Sequence, residues 1–367
     1  MQTGQSFGDQ TMTRIAFFQN DLGVGGIQKS IINLLRNLDY ERFQVDLYLN
    51  EKSDFWQTEF PERLTVKYLP PLPRVYSFLP FELAKRQARY EFPEVPYDLA
   101  VDFNSYQCSC AAGALTVPAR RRAMWIHNDV EIKLNNEWKY QVLWHFFKGK
   151  FQYYDAFVPV SDALIAPFQR MSGVTDKPFW TIQNYIDAGE IQRRMLTEPA
   201  ELSLDESCLN FVALGRLCHQ KGYDIMLDVF REACGQRDDL RLYIIGDGPD
   251  REALEKQRDE LRLEKKVFFL GNQSNPYCYM YRMDAFLSTS RYEGQPLNIM
   301  EAKAVGLPLY CTRNLEKYTE GLTGYDRMPD AIVCAQKTEK RPDDLHAYNA
   351  KIMDRLAALA EEEILPV

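Results

Sequence analysis

Short apolar segments alternate with longer helical patterns twice along this chain, and this alternation limits the possible folds more than any other feature of the sequence. Such alternation is typical of parallel α/β units, in which helices cover both faces of a sheet. The first series of predicted strands occupies residues 14–19, 43–49, 64–69, 98–103, 121–127 and 156–160. The second occupies residues 209–215, 240–246, 266–271, 284–290 and 307–311. The sequence therefore predicts two successive α/β domains.

The length of the chain supports the same division. Its 367 residues exceed what one hydrophobic core commonly holds, so we expect two domains with a cleft between them. Residues 187–206 are highly charged and have no strand pattern, so we place a linker there. The predicted organisation is a disordered tail at 1–13, a first domain at 14–186, the linker at 187–206, a second domain at 207–344, and a C-terminal helix at 345–367 that could pack on either domain.

Composition limits the partners and the compartment. The net charge is −8, whereas binding to nucleic acid needs a basic surface, so we exclude nucleic acid as the main partner. The eight cysteines are scattered, and Cys108-Ser-Cys110 lacks the spacing and the histidines of a zinc site. The first thirteen residues do not resemble a signal peptide, and no apolar run approaches the ~18 residues of a membrane span. We expect a cytoplasmic protein with reduced thiols.

The segment RYEGQPLNIMEAKAVGLP, residues 291–308, places Glu293 and Glu301 eight positions apart. Pro296 suits the first position of a helix, where its missing N–H costs nothing. A helix at 297–305 would offer free N–H groups and a positive dipole end to an anion such as phosphate. Glu301 would then lie ~6 Å further along, at ~1.5 Å per residue. Two interpretations remain: acceptors for a ribose and a sugar, or a solvated surface.

A second motif lies in the loop after the predicted strand 209–215. Arg216 and Lys221 occur there, again at the carboxyl end of a strand. An arginine can chelate two phosphate oxygens while a lysine follows the remaining charge, which suits a diphosphate that no metal neutralises. Alone, the two cations would be typical of surface charge. Beside the predicted anion-binding helix, they favour a diphosphate site.

Together these motifs resemble the signature set of the retaining, GT-B-fold glycosyltransferases of family 4, also called glycosyl transferases group 1. The similarity extends from about residue 14 to 312, and its most specific part is the pair of glutamates eight positions apart, with Gly after the first and Ala after the second. The segments that carry it are DLGVGGIQKSIINLL (21–35), WIHND (125–129), VSDALI (160–165), NYID (184–187), GRLCHQKG (215–222), IIGDGP (244–249), FLGN (269–272) and EGQPLNIMEAKAVGLP (293–308).

The resemblance implies two Rossmann-like domains facing a cleft, and it assigns a role to each catalytic candidate. Arg216 and Lys221 would hold the donor diphosphate, and Glu293 would accept from hydroxyls of the transferred sugar. His127 would contact that sugar at the reaction centre. The acceptor would attack from the side of the leaving group, so no residue here is assigned as a nucleophile.

The resemblance also implies a set of donor-binding residues. Glu301 would take the ribose hydroxyls, and backbone amides near Gln295, Leu297 and Asn298 would meet the phosphate and the sugar. Gln295 replaces a commonly apolar residue and could add a contact. The remaining positions are Gly246 and Asn272 near the nucleoside, and Gly25 and Gly26 near the β-phosphate.

The activity implied is that of a bacterial hexosyltransferase of polysaccharide biosynthesis. It would move a hexose or N-acetylhexosamine, with retention, from a UDP-sugar to a glycan or a lipid-linked saccharide, without a metal or other cofactor. Residues 74–92 and 136–154 are aromatic and basic. They are either ordinary packed helices or a surface for sugars or for the inner face of the membrane. Two alternatives remain open: a GT-B-fold sugar-nucleotide epimerase, and a catalytically silent subunit that binds a partner enzyme.

Overall fold

Parallel strands form two separate sheets in this computed structural model, which describes residues 12–23, 25–53, 60–136, 138–200, 202–319 and 321–361. The chain divides into two units. The first consists of the residues up to Val160, Ile165–Gln183 and the residues from Lys351 onwards, and the second consists of Ser161–Leu164 and Asn184–Ala350. The predicted class, an α/β protein with two parallel sheets, is therefore confirmed.

The first unit contains a six-stranded sheet with the order β3-β2-β1-β4-β5-β6. Its strands are β1 Thr13–Gln19, β2 Phe43–Leu49, β3 Thr65–Tyr68, β4 Tyr97–Asp102, β5 Ala119–Ile126 and β6 Ala156–Pro159. Its helices are α1 Gly26–Arg36, α2 Phe81–Gln87, α3 Cys108–Thr116, α4 Val130–Asn136, α5 Trp138–Phe147 and α6 Ile165–Ser172, with short 3-10 helices at Arg74–Phe78 and Lys148–Tyr153.

The second unit contains a five-stranded sheet with the order β11-β10-β7-β8-β9. Its strands are β7 Leu209–Leu214, β8 Leu240–Ile245, β9 Val267–Gly271, β10 Ala285–Ser288 and β11 Leu309–Cys311. Its helices are α7 Ala188–Met195, α8 Tyr223–Cys234, α9 Arg251–Glu260, α10 Pro276–Arg282, α11 Leu297–Val305 and α12 Met328–Cys334, with 3-10 helices at Asp162–Leu164, His219–Lys221 and Arg313–Tyr318.

Both faces of each sheet are covered, which explains the continuous apolar runs in the sequence. In β1, the consecutive residues Ile15, Ala16 and Phe17 are fully buried although their side chains point to alternate faces. In β8, Leu242 and Ile244 belong to a core that also includes residues of α8.

Each sheet has one point at which the strand order reverses. In the second unit the chain builds β7, β8 and β9 in one direction and then crosses to β10 and β11 on the other side of β7. In the first unit the corresponding point lies between β1 and β4. Ligands of open α/β sheets collect outside the carboxyl ends of the strands at such switch points.

The segment predicted as a linker, 187–206, contains helix α7 of the second unit. Ile191 and Met195 are buried where α7 packs on α10 and α11, and the Asp187 carboxylate caps the helix by accepting from the Glu190 N–H at 2.9 Å. The charges that suggested a linker belong to the outer face of an amphipathic helix.

The two ends of the predicted organisation are only partly described. Residues 1–11 of the predicted tail lie outside the described residues, and Thr13 already begins β1. Helix α13, His346–Glu361, begins in the second unit and ends in the first. Across the described ranges, none of the helices combines the length and the apolar composition needed to cross a membrane.

Candidate functional site

The loops that follow β7 and β10 meet at the switch point of the second sheet. Gly222 has a left-handed φ of 65°, and a Cβ atom there would lie 2.3 Å from the carbonyl oxygen of Thr289. The Thr289 hydroxyl donates to the Gly222 carbonyl at 2.8 Å. Only glycine allows this approach, which brings the loop with Arg216 and Lys221 against the loop with Glu293.

Lys221 and Glu293 form an ion pair at this point. The Lys221 Nζ atom lies 2.7 Å from Glu293 Oε1, and the two side chains are 20% and 7% exposed. The Gln220 amide donates to the Tyr292 carbonyl at 3.1 Å and lies 3.4 Å from Glu293 Oε2. A carboxylate this well buried requires such partners, because an unpaired charge is costly away from water.

Arg216 lies in the same loop but in a different environment. Its side chain is exposed, and it forms no ion pair with any of the residues that the structure describes. The surface-charge interpretation of the pair is therefore wrong for Lys221, while Arg216 is a cation accessible to a ligand.

Helix α11 follows the Glu293 loop and begins at Leu297. Pro296 was predicted at its first position, but it precedes the helix by one residue, and its carbonyl accepts from the N–H groups of Ile299 and Met300. The N–H groups of Leu297 and Asn298 therefore belong to the first turn, which has no intrahelical acceptors. The Asn298 amide donates to the Leu214 carbonyl at 2.7 Å and fixes the helix start beside the end of β7.

Glu301 lies in α11 and is also buried. It is 4% exposed, and the Tyr277 hydroxyl donates to its Oε1 atom at 3.2 Å. Glu293 is 5% exposed. The solvated-surface interpretation of the two glutamates is therefore wrong for both of them. Tyr277, from α10, could not have been identified from sequence because nothing in the pattern links it to Glu301.

Gln295 has partners inside the protein. Its Oε1 atom accepts from the Asn184 N–H at 2.6 Å, and its Nε2 atom donates to the Tyr348 hydroxyl at 2.5 Å. That hydroxyl donates to the Asn184 carbonyl at 2.7 Å. The side chain thus holds the turn before α11, and a donor contact from Gln295 would come from its backbone.

Gly246 lies at the end of β8 for a steric reason. It has a φ of 137°, and a Cβ atom there would lie 2.0 Å from the Gly215 carbonyl oxygen, so only glycine lets the loops after β7 and β8 touch. Asn272 directly follows β9 and is exposed. Both positions lie at the carboxyl edge of the second sheet.

His127 lies in the first unit, directly after β5. Its Nε2 atom is 2.8 Å from the Phe103 carbonyl oxygen, and burial lowers the pKa of the imidazole to about 4. The ring is therefore neutral near pH 7. Because a carbonyl only accepts, Nε2 carries the proton and Nδ1 is the acceptor.

The first unit also places the other predicted glycines and a buried pair that the sequence did not reveal. Gly25 precedes α1 and Gly26 begins it, at the carboxyl end of β1. The Lys150 ammonium lies 3.2 Å from Asp102 Oδ2 at the end of β4, and both side chains are almost fully buried. A carboxylate and a lysine 48 residues apart give no sequence signal of pairing.

The structure thus brings Arg216, Lys221, Glu293, Leu297 and Asn298 together at the switch point of the second sheet. Two cations, a helix start and two buried carboxylates can bind an anion that also carries hydroxyl groups. The remaining candidates in that unit are Gly246, Asn272, Gln295 and Glu301, and those in the first unit are Gly25, Gly26 and His127.

Comparison with known families places this site in context. Residues 197–345 match the family model described as glycosyl transferases group 1. Over 124 residues the chain is 31% identical to 2-deoxystreptamine N-acetyl-D-glucosaminyltransferase of Niallia circulans, a match that covers 32% of each chain. Other relatives are likewise matched over less than half of their own length.

Solved structures resemble the chain over nearly its whole length. HepE of Anabaena, in complex with UDP and glucose, gives a TM-score of 0.66 at 18% identity, covering 94% of this chain and 96% of HepE. A mutant of S. aureus TarM, in complex with fondaparinux, α-GlcNAc-glycerol and UDP, gives 0.65 at 12% identity, covering 96% of this chain and 100% of TarM. These likenesses establish the GT-B fold, and with the family match they confirm the resemblance inferred from the motifs: the chain is a GT-B-fold protein whose residues 197–345 form a glycosyl transferases group 1 domain.

Proposed function

We propose that the chain is a retaining glycosyltransferase that moves a hexose or an N-acetylhexosamine from a UDP-sugar to a glycan or a lipid-linked saccharide. The observation that carries the proposal is the buried Lys221–Glu293 pair beside the start of α11, with the buried Glu301 one turn further on. The match to glycosyl transferases group 1 covers all of these residues. The presence of UDP in HepE and TarM supports UDP as the nucleotide.

Each group has a chemical task in this reaction. Cleavage of the bond between the anomeric carbon and the phosphate places negative charge on the leaving diphosphate. Arg216, Lys221 and the first N–H groups of α11 would stabilise that charge where it develops. Glu293 would accept from sugar hydroxyls and Glu301 from ribose hydroxyls. Neutral His127 would accept from a sugar hydroxyl through Nδ1.

We propose that these groups act without a metal ion. Two cations and a helix start can together carry the charge that Mg²⁺ or Mn²⁺ would otherwise balance. We also propose a cytoplasmic, bacterial setting in polysaccharide biosynthesis, with the acceptor presented at the inner face of the membrane.

The purified protein would be tested against a panel of UDP-, GDP- and ADP-sugars in excess EDTA. We expect one UDP-sugar to raise the melting temperature and to be hydrolysed slowly without an acceptor. Stabilisation by no nucleotide sugar would reject the proposed donor site. Stabilisation without hydrolysis, or transfer with any acceptor, would indicate a binding subunit. Turnover that EDTA abolishes and manganese restores would reject only the metal-free assignment.

A further inference from the structure

The first unit carries an exposed apolar surface that none of the assigned residues explains. Five large apolar side chains are exposed there: Val75, Phe78, Leu83, Trp138 and Val142. They are half of the ten such side chains in the described part of the chain, so they are concentrated on one region rather than scattered. Concentrated exposure of this kind marks interaction sites. These five residues are called the apolar patch below.

The apolar patch is continuous across three packed elements. The 3-10 helix before α2 packs on both α2 and α5, and the rings of Phe78 and Phe146 lie 6.4 Å apart. Residues three apart eclipse in a 3-10 helix, so Val75 and Phe78 lie on one side of it. Trp138 and Val142 are four apart and share one face of α5, whereas Trp144 is buried.

Basic residues border the apolar patch although the whole chain is acidic. The segment 74–89 contains four basic residues and one acidic residue, in a chain of net charge −8. Arg74, Arg86 and Arg89 are exposed. The acidic residue, Glu82, accepts a hydrogen bond from the Tyr153 hydroxyl. The surface around the apolar patch is therefore locally cationic.

We propose that the apolar patch is a peripheral binding surface for an anionic lipid bilayer. Exposed aromatic and aliphatic side chains edged by Arg and Lys match the interface of such a membrane, where the apolar groups enter the headgroup region and the cations meet acidic lipids. A second copy of the chain fits less well, because a two-fold interface would place the same cations opposite one another. The inference builds on the proposed function only in locating the face that would meet a lipid-linked acceptor.

The test is sedimentation of the full-length protein with vesicles, without donor or acceptor. Vesicles are made of phosphatidylcholine alone or of equimolar phosphatidylcholine and phosphatidylglycerol. We expect binding to the mixed vesicles, weakened by salt. Leu83→Gln combined with Val142→Gln should lower the partition coefficient about tenfold. Arg74→Glu combined with Arg86→Glu should lower it at least about 25-fold, at about fivefold per cation.

Matched controls make the same chemical changes elsewhere. Leu196→Gln alters an exposed apolar residue of the second unit, and Lys256→Glu reverses an exposed charge on α9. Both should bind vesicles as the unchanged protein does. Equal binding by all variants, or no binding to the mixed vesicles, would overturn the proposal. So would a dimer, detected by light scattering, that the patch substitutions dissociate.

The readout is independent of sugar transfer. If the patch variants lose vesicle binding but still hydrolyse the UDP-sugar, both proposals stand. If vesicle binding behaves as expected but no nucleotide sugar binds, only the proposed function fails.

Discussion

The Lys221 ammonium nitrogen lies 2.7 Å from a carboxylate oxygen of Glu293, so two residues with different predicted ligands neutralise each other. Removing the cation alone would leave a buried carboxylate without its counterion. Lys221→Met should therefore lower the free energy of unfolding by about 3 kcal/mol, and adding Glu293→Gln should recover most of that loss. Urea unfolding measures both effects. Equal stability of the single and double variants would show that the pair contributes little.

The same pair predicts opposite effects on binding and turnover. Glu293→Gln removes a negative charge beside Lys221, so affinity for UDP should stay unchanged or increase. Turnover of the UDP-sugar should fall roughly 10–150-fold, the loss of one charge-assisted hydrogen bond. Calorimetry with UDP and steady-state kinetics separate the two. Weaker UDP binding in Glu293→Gln would contradict the assignment of Glu293 to the sugar.

Arg216 predicts a loss of activity without a loss of stability. Its side chain is exposed, so Arg216→Ala should change the free energy of unfolding by less than about 0.5 kcal/mol. Turnover should fall ~100–1,000-fold, as for the removal of one transition-state donor. Lys256→Ala, which removes an exposed cation on α9, serves as the control. A near-normal rate for Arg216→Ala would place the diphosphate elsewhere.

Glu301 predicts recognition of the ribose, which transfer leaves chemically unchanged. Glu301→Ala should weaken UDP and UDP-sugar binding together, roughly 10–150-fold. The unchanged protein should likewise bind 2′-deoxy-UDP more weakly than UDP, whereas Glu301→Ala should distinguish the two poorly. Calorimetry with both nucleotides completes this cycle. An undiminished preference for UDP in the variant would exclude Glu301 as the ribose acceptor.

Gln295 predicts a structural role that reaches the donor loop. Its side chain joins Asn184 to Tyr348, so Gln295→Leu should leave buried polar groups unsatisfied and lower the free energy of unfolding by about 1–3 kcal/mol. Tyr348→Phe should cost less, and combining the two should cost less than the sum of the single changes. Strict additivity in urea unfolding would mean that the two side chains act separately.

His127 predicts a specific loss of stability in acid. Its folded-state pKa of about 4 lies below the ordinary value of 6.5, so the unfolded chain takes up a proton first as pH falls. The resulting stability is complete above pH 6.5 and is lost towards pH 4. Between pH 7 and pH 5 the free energy of unfolding should fall by about 2 kcal/mol from this residue. Urea unfolding of His127→Asn should lack this component, and an identical pH dependence in both proteins would refute it.

Much of the fold could be predicted because burial on both faces leaves a continuous apolar run in each strand. All of the predicted strands overlap strands of the structure, and α11 has the predicted bounds, Leu297–Val305. Helix α7 was missed because its apolar residues, at helical spacing, lie among charges that suggested a linker. A search for strand patterns cannot detect such a helix.

The contacts of the site could not be predicted, because they join distant parts of the chain. Lys221 and Glu293 are 72 residues apart, and Gln295 reaches Asn184 across 111 residues. The sequence indicated that these residues lie at strand ends, which places them on one edge of the sheet. Their pairing depends on the backbone conformation at Gly222 and Thr289, for which the sequence offered no signal.

Helix α13 has a consequence for synthesis of the chain on the ribosome. From Lys351 onwards it belongs to the first unit, where Glu361 pairs with Arg42 and the Leu359 carbonyl accepts from Arg121. The residues between Gln183 and Lys351 must be translated in the interval, which takes on the order of ten seconds at ~5–20 residues per second. During that time the nascent first unit lacks a segment that completes its core, while all of the second unit is already being made. A chaperone that binds exposed apolar surface should therefore engage the N-terminal half of the nascent chain until its last helix emerges.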